Sequence, residues 1–533
     1  MPRAVEVEPP LTYGDFDYVV IGAGSAGCVV AARLSQDPSV RVLLLEAGPE
    51  PRSPWIRIPG AVSKVIGPGK YNWGYTSDPE PHLGGRQIYW PRGRTLGGSG
   101  AINGMVYLRG HPRDFEAWKQ AGNPGWGWDD VLPLFKKAED AIGVSPAVTR
   151  YAFGDLFLAA AQDSGLPVRA SLNTDGPAFE DGVGYLEFSI RHGLRRTSYD
   201  AYLAPIRKRR NLEILTSAMV QRIAMDEGRA KGVLFNRNGE TCLAKARREV
   251  VLCGGAVNSP QLLMLSGIGP AQHLQDHGIG VHADAAAVGQ NLHDHTNTPL
   301  VFNSPRAQSI NHRIVWPRLS LEVGRYFLRR TGILAVGTSA ASAFASSDGT
   351  SGYPDIQISV RPFSFVFTEK GLSVAKKPCV TVSVYQMRPE SRGRVLLKSS
   401  DPAQAPSILA NYLQTPGDQE RVLAGVRLAQ RIMSQPRMKG FSPAVPIPED
   451  DEALLERVRG VLGPVFHPVG TCKMGSAQDS VVDPRLKVRG ITGLRIADAS
   501  IMPEIVSTNI NAACIMIGEK AASMIAEDAR SCS

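Results

Sequence analysis

The sequence predicts an α/β protein, α+β overall. A Rossmann-like dinucleotide-binding domain is expected beside a discontinuous second domain built on an antiparallel sheet with helices. Three observations predict this. A glycine turn, Gly22-Ala23-Gly24-Ser25-Ala26-Gly27, lies between two apolar runs near the N-terminus. A further apolar run, Val250-Val251-Leu252-Cys253, ends in the pair Gly254-Gly255 halfway along the chain. From 299 to 457 the character changes, and alternating segments such as 355–360 and 379–385 read as strands with one buried face.

Taken in order, residues 16–21 form the first strand, 26–34 have a helix-compatible pattern, and 40–45 form the second strand. Gly22 permits the tight turn, Gly24 admits a pyrophosphate against bare backbone, and Gly27 lets the helix pack on the strand. The phosphates then meet the free amides of the helix N-terminus. Glu46 closes the second strand nineteen residues after Gly27, where a carboxylate accepts hydrogen bonds from an adenosine ribose and disfavours a 2′-phosphate. Residues 211–258 read as a small antiparallel meander, with runs at 212–216, 220–225 and 232–235, feeding back into a buried strand that starts at Glu249. Residues 493–498 form a last short strand, and 511–527 have helical spacing. The nucleotide domain is therefore assembled from the beginning, middle and end of the chain.

Composition bounds the function classes. A chain of 533 residues, 43% apolar and 20% charged, suits a soluble protein of two domains. Met1 to Pro10 lack the apolar core of a secretory signal, and no run approaches about eighteen uninterrupted apolar residues. A cytoplasmic location follows, with peripheral contact at the inner-membrane surface left open. Seven cysteines, odd in number and without a Cys-x-x-Cys pair, read as free thiols. The +9 charge is a mild excess, and Arg207-Lys208-Arg209-Arg210 has no interleaved aromatics, so it reads as a solvated helix end and nucleic acid is not an expected partner.

Near the C-terminus stands His467-Pro468-Val469-Gly470-Thr471-Cys472-Lys473-Met474-Gly475, answered by Asn511 after Ile505-Val506-Ser507-Thr508-Asn509-Ile510. Together with the glycine turn come Gly93-Arg94-Thr95-Leu96-Gly97-Gly98-Ser99-Gly100-Ala101-Ile102-Asn103-Gly104-Met105 and Gly255-Ala256-Val257-Asn258-Ser259-Pro260 leading to Ser266-Gly267-Ile268-Gly269. In these motifs, in order over nearly its whole length, the chain resembles the glucose-methanol-choline oxidoreductases, most of all the bacterial choline dehydrogenase and primary alcohol dehydrogenase branch. The resemblance implies FAD, where the glycine motif alone leaves NAD open. It also implies an FAD-binding domain in three parts, 1–155, 195–298 and 458–533, and a substrate domain in two, 156–194 and 299–457. Cofactor contacts are carried to Gly22, Gly24, Ser25, Ala26 and Gly27, to Glu46, Ala47 and Trp73, and to Arg94, Gly97, Gly98 and Ser99. Further contacts fall on Asn103, Gly104, Met105, Val106, Val220, Gly254, Asp498, Ala499 and Asn511.

Two departures matter. Where some members carry a histidine bonded to the flavin, this chain has Ile102, so a non-covalent FAD is expected. Where related sequences carry two serines after the double glycine, Ser99 is followed by Gly100.

Oxidising an alcohol needs a base for the hydroxyl proton and an acceptor for the hydride. Histidine suits the first because it titrates near neutrality, and the flavin supplies the second. His467 is the expected base and Asn511 the expected partner of the substrate oxygen, its helix directing a positive end at the flavin. His293 and His295 flank Asp294 in a metal-like pattern, but no further ligand is evident, and a supporting role beside the flavin is expected instead. Segments 333–336, 357–365 and 384–387 are expected as a mainly apolar substrate wall, suiting an aliphatic or aromatic primary alcohol. No Gly-x-Ser-x-Gly elbow supports a hydrolase. The expected activity is FAD-dependent oxidation of a primary alcohol to an aldehyde, with a quinone or other carrier as acceptor. The alternatives are an oxidase releasing hydrogen peroxide, and a flavin-retaining lyase or photodecarboxylase.

Overall fold

The computed structural model describes residues 10–173, 180–337, 339–350, 352–368 and 371–531; Cys532 and the N-terminal nine residues lie outside them. The six described cysteines are free thiols. Strand β1 (Leu11–Ile21), helix α1 (Ser25–Leu34) and strand β2 (Val42–Leu45) form the predicted strand, helix, strand unit. Val19 and Val20 of β1 and Val42, Leu43 and Leu44 of β2 are fully buried. A parallel sheet covered on both faces needs continuous apolar runs rather than alternation, which these supply.

The long strand β3 (Glu240–Leu252) lies parallel to β1 and changes its other neighbour along its length. Its first half pairs antiparallel with Arg229–Arg237, and Val250 to Leu252 pair parallel with Leu494–Ile496. The sheet order is Leu212–Leu215, β2, β1, β3, Arg229–Arg237, Met219–Asp226. Two expectations are corrected here. Leu212–Leu215 pairs parallel with β2 at the sheet edge and is no part of the meander. The strand expected at Glu249 is the end of one thirteen-residue strand.

The second sheet is antiparallel. Strand β4 (Thr296–Asn303), strand β5 (Ile356–Arg361) and strand β6 (Cys379–Gln386) occupy its centre in the order β4, β6, β5, followed by Ala341–Ala345 and Gly182–Tyr185. Helices Ala152–Asp163 and Pro416–Met433 pack on one face through Phe153, Phe157, Val422 and Val426. The other face turns toward the nucleotide sheet. Helix α2 (Leu319–Arg329) closes the outer side of the space between the sheets.

Helix α3 (Asn511–Ser531) returns the chain to its start. It crosses α1 at Gly518, where a Cβ would stand 2.8 Å from the Ala26 carbonyl. Arg33 and Lys137 both reach buried Glu519, at 2.7 and 2.8 Å, and pin the crossing. The basic cluster is not simply solvated: Arg209 donates to the Ala32 carbonyl at the end of α1, and Arg207 pairs with Glu50.

Candidate active site

A cavity of about 1440 Å³ runs from the glycine turn to His467 and opens beside α2. It exceeds the ~300–1,000 Å³ usual for one small ligand. At its inner end the first amides of α1 carry no side-chain cap. Gly98, at φ +52°, presses on the turn so closely that a Cβ would lie 2.6 Å from Gly24 Cα. Glu46 is buried, accepting from the Ala23 amide at 2.9 Å and the Gly48 amide at 2.8 Å. Burial pushes its carboxyl up to about 7 against those two hydrogen bonds. Hydroxyl donors of a ribose would offset that desolvation, so bare backbone, open amides and Glu46 together fit a dinucleotide.

Ser25, Ala26, Ala47, Trp73, Ser99 and Asn103 line this cavity, as do Gly104, Met105, Val106, Val220, Gly254, Asp498 and Ala499. Three residues expected at the cofactor stand behind the wall. A Cβ at Gly27 would meet the Gly22 carbonyl at 1.9 Å, so this glycine serves helix packing. The Gly97 amide donates to the Ala23 carbonyl at 2.8 Å, tying the two glycine turns together. The Arg94 guanidinium lies 4.7 Å from the centre of the Trp73 ring, supporting that wall residue.

At the other end, segment 293–295 runs antiparallel to 465–469. The Val465 amide donates to the His295 carbonyl at 3.0 Å, and the Val469 amide to the His293 carbonyl at 3.0 Å. This pairing brings the two imidazoles together, with 2.9 Å between His295 Nδ1 and His467 Nδ1. His295 Nε2 lies 2.8 Å from the Met387 carbonyl, which can only accept. His295 therefore carries its proton on Nε2 and accepts at Nδ1. His467 in turn donates from Nδ1, leaving the lone pair on Nε2, where the Asn509 amide donates at 3.2 Å. Burial pushes His295 down to about 3, and burial, then His295 and Arg92, hold His467 well below its usual range. Both rings are neutral near pH 7.

The loop holding His467 is fixed by hydrogen bonds. The Asp294 carboxylate accepts from the His467 amide at 2.6 Å and from Tyr412 Oη at 3.0 Å. Phe466 sits at φ +67°, a left-handed conformation costly for an aromatic residue, and Arg92 holds its carbonyl at 2.5 Å. His293 donates to the Asn291 carbonyl at 2.7 Å and accepts from the Ile505 amide at 2.9 Å. Among the described residues no group of three or more His, Cys, Asp or Glu could hold a metal ion.

Asn511 is held at the glycine cradle. Its side chain donates to Ser25 Oγ at 2.7 Å, across the start of α1. The amide beside the imidazole belongs to Asn509, whose buried Oδ1 has no hydrogen-bond partner among the described residues. Asn511 is the first residue of α3 and is turned to the cradle, whereas Asn509 still lies in the preceding loop. The spacing His467 to Asn511 does not carry this distinction. His295 and Asn509 are the side chains hydrogen-bonded to His467. The sequence marked His295 for a supporting role beside the flavin and did not mark Asn509.

The substrate wall is also corrected. Ile333, Leu334 and Val336 line the cavity as expected, as do Phe363 and Tyr385, and Leu319, Val323 and Phe327 of α2 join them. On β5, however, Ile358 and Val360 point into the core, and Gln357, Ser359 and Arg361 face the cavity. A strand alternates its faces, so its apolar residues are spent beneath the sheet. Among the described lining residues the carboxylates are Glu46 and Asp498, both at the nucleotide end.

A glycine cradle meeting a buried imidazole chain in one cavity defines a dinucleotide-dependent enzyme. Models of the GMC oxidoreductase family match residues 16–297 and 389–518. The chain is 38% identical to the alcohol dehydrogenase [acceptor] of Pseudomonas putida, over 96% of this chain and 95% of that one. It is likewise 38% identical to the oxygen-dependent choline dehydrogenase of Rhizobium etli, with the same coverage. Among solved structures, pyridoxine 4-oxidase from Mesorbium loti superposes with a TM-score of 0.86 at 30% identity, covering 96% of this chain and 99% of that one. The chain belongs to the GMC oxidoreductase family, and is a flavoprotein oxidoreductase of that fold.

Proposed function

We propose that the protein oxidises a primary alcohol to an aldehyde with non-covalently held FAD, and passes the electrons to a quinone or another carrier. The observation that carries this reading is the hydrogen-bond chain from Asn509 through His467 and His295 to the Met387 carbonyl, which leaves a basic nitrogen facing the cavity. Bound FAD supplies the hydride acceptor. The glycine turn, Glu46 and the 98–106 segment would hold it, and Ile102 offers no nucleophile for a covalent bond.

His467 Nε2 takes the hydroxyl proton as the hydride leaves the carbinol carbon. His295 stabilises the imidazolium that forms, because His467 Nδ1–H already points at its lone pair. Asn509 is placed to hold the substrate oxygen beside the base: its Nδ2–H, which donates to His467 Nε2, would turn to the oxygen as the hydroxyl proton takes its place at Nε2. Asn511 instead supports the cradle through Ser25. The apolar wall from α2 and 333–336 supports an aliphatic or aromatic alcohol. Arg361, with no carboxylate lining that end among the described residues, counts against a quaternary ammonium substrate.

The test is anaerobic stopped-flow bleaching of the flavin by aliphatic, benzylic and amino alcohols, in the wild type and in His467→Ala. The variant should stay yellow and bleach roughly 10²-fold or more slowly; equal rates would remove His467 as the base. Relatives include a structure named as an oxidase, so oxygen is then admitted: slow reoxidation supports a dehydrogenase, and rapid reoxidation with peroxide an oxidase.

A further inference from the structure

We propose that helix α2 and the loop before it dock the protein on the surface of an anionic lipid bilayer, with the mouth of the cavity against the membrane. At 3.6 residues per turn, α2 has three faces with three environments. Glu322 and Tyr326 turn inward: Glu322 pairs with Arg313 at 2.5 Å, and Tyr326 Oη donates to the Gly193 carbonyl at 2.9 Å. Leu319, Val323 and Phe327 line the cavity. The third face presents Leu321, Arg325 and Leu328 to solvent, the two leucines 74% and 86% exposed.

Packing does not require leucine on that face, because the fold and the cavity already use the other two. Just before the helix, Trp316 is 76% exposed, and Phe327 is 59% exposed at the edge of the cavity. Single exposed apolar residues are ordinary, but four large ones clustered in one short segment mark an interaction surface.

The charge on the segment selects the partner. Residues 306–330 hold six arginines against one acidic residue, Glu322, which is the one turned inward. Arg306, Arg318, Arg325, Arg329 and Arg330 are exposed. His312 lies in their field: burial, then Arg306, Arg318 and Arg313, lower its pKa. Tryptophan and leucine flanked by arginine is the composition of helices that lie in a membrane interface, where the apolar side chains enter the acyl boundary and the guanidiniums meet lipid phosphates. A second copy suits this face less well, since a two-fold contact would set its arginines against their own copies with no carboxylate on the patch. Trp55 is 48% exposed and, like Phe327, also lines the cavity, so the two mark the rim of its mouth. Docking by α2 thus sets that mouth against lipid. Entry of a lipophilic alcohol or carrier from the bilayer rests on the proposed function; the docking itself does not.

The test is flotation of the FAD-loaded full chain with vesicles of phosphatidylcholine alone, and with vesicles carrying about one third phosphatidylglycerol. The wild type should float with the anionic vesicles at low salt and be released at high salt. Leu321→Gln/Leu328→Gln should bind at least about tenfold more weakly. Arg318→Gln/Arg325→Gln/Arg329→Gln should lose about 10²-fold, since each arginine near a charged bilayer is worth about fivefold. Both variants should keep flavin colour and bleach normally with a soluble alcohol, which separates docking from the chemistry. Failure of the wild type to float with anionic vesicles, or unchanged flotation of both variants, overturns the proposal. A wild-type dimer that binds no vesicles and is split by the leucine substitutions would make the face a contact between copies, and overturns it equally.

Discussion

Replacing His295 by leucine removes the acceptor from His467 Nδ1–H while keeping a side chain of similar bulk. A buried donor left without a partner costs about 1–3 kcal/mol. The imidazole escapes this cost by moving its proton to Nε2, where Asn509 Oδ1 can accept after the amide turns. That tautomer has no lone pair toward the cavity and cannot act as the base. The competent form therefore falls by about 5- to 150-fold, at about 1.4 kcal/mol per factor of ten. Glutamine is the control, because its Oε1 can accept from His467 Nδ1–H while its Nε2 donates to the Met387 carbonyl, repeating the pattern of His295. In anaerobic stopped-flow, His295→Leu should bleach one to two orders of magnitude more slowly, and His295→Gln should recover most of the wild-type rate. Flavin content should be unchanged in both. A His295→Leu enzyme with the wild-type rate constant, or a glutamine variant as slow as the leucine one, would refute the tautomer reasoning.

Asn509→Ala should slow flavin bleaching by about tenfold or more, the worth of a hydrogen bond to a group gaining charge. Asn511→Ala should act instead on flavin retention, read as the ratio of flavin to protein absorbance after gel filtration, because its partner is Ser25 at the cradle. Arg361→Gln should raise kcat/KM for choline relative to a neutral alcohol by about tenfold or more, since a like charge about 10 Å away at an effective dielectric near 20 is worth about 1–2 kcal/mol; an unchanged ratio would remove Arg361 from substrate selection. His295, at about 3 in the fold, lies below its value in the unfolded chain, so the unfolded chain takes up the proton first as pH falls. The stability of the wild type should therefore decline relative to His295→Gln below about pH 6.5, by about 1.4 kcal/mol per pH unit. Thermal melts of the two proteins at pH 7.5, 6 and 5 measure it, and a Tm difference independent of pH would contradict a buried neutral imidazole.

The nucleotide half of the molecule was legible because its physics is local. A glycine turn between two apolar runs and an acid at the end of the second can fold in few ways, and β1, α1, β2 and Glu46 stand where the spacing put them. The run around His467 stood out for the same reason, since a short motif carries its own turn, and the family resemblance supplied the proposed role of base. The alternating segments also became β5 and β6. What alternation could not reveal was which face of β5 looks into the core, so an apolar wall was expected where Gln357, Ser359 and Arg361 stand.

The rest belongs to pairings between distant segments. Leu212–Leu215 reads like any other apolar run until β2 takes it as a parallel neighbour at the sheet edge. Two asparagines two residues apart, Asn509 and Asn511, are equivalent on paper. The start of α3 falls between them and sends one to His467 and the other to Ser25. The sequence alone thus determined a cofactor cradle and singled out the run around His467, because each depends on residues adjacent in the chain. Only the tertiary structure decided which nitrogen of His467 keeps its lone pair. That choice rests on His295 and on the backbone carbonyl of Met387, which meet when β4 and β6 lie side by side.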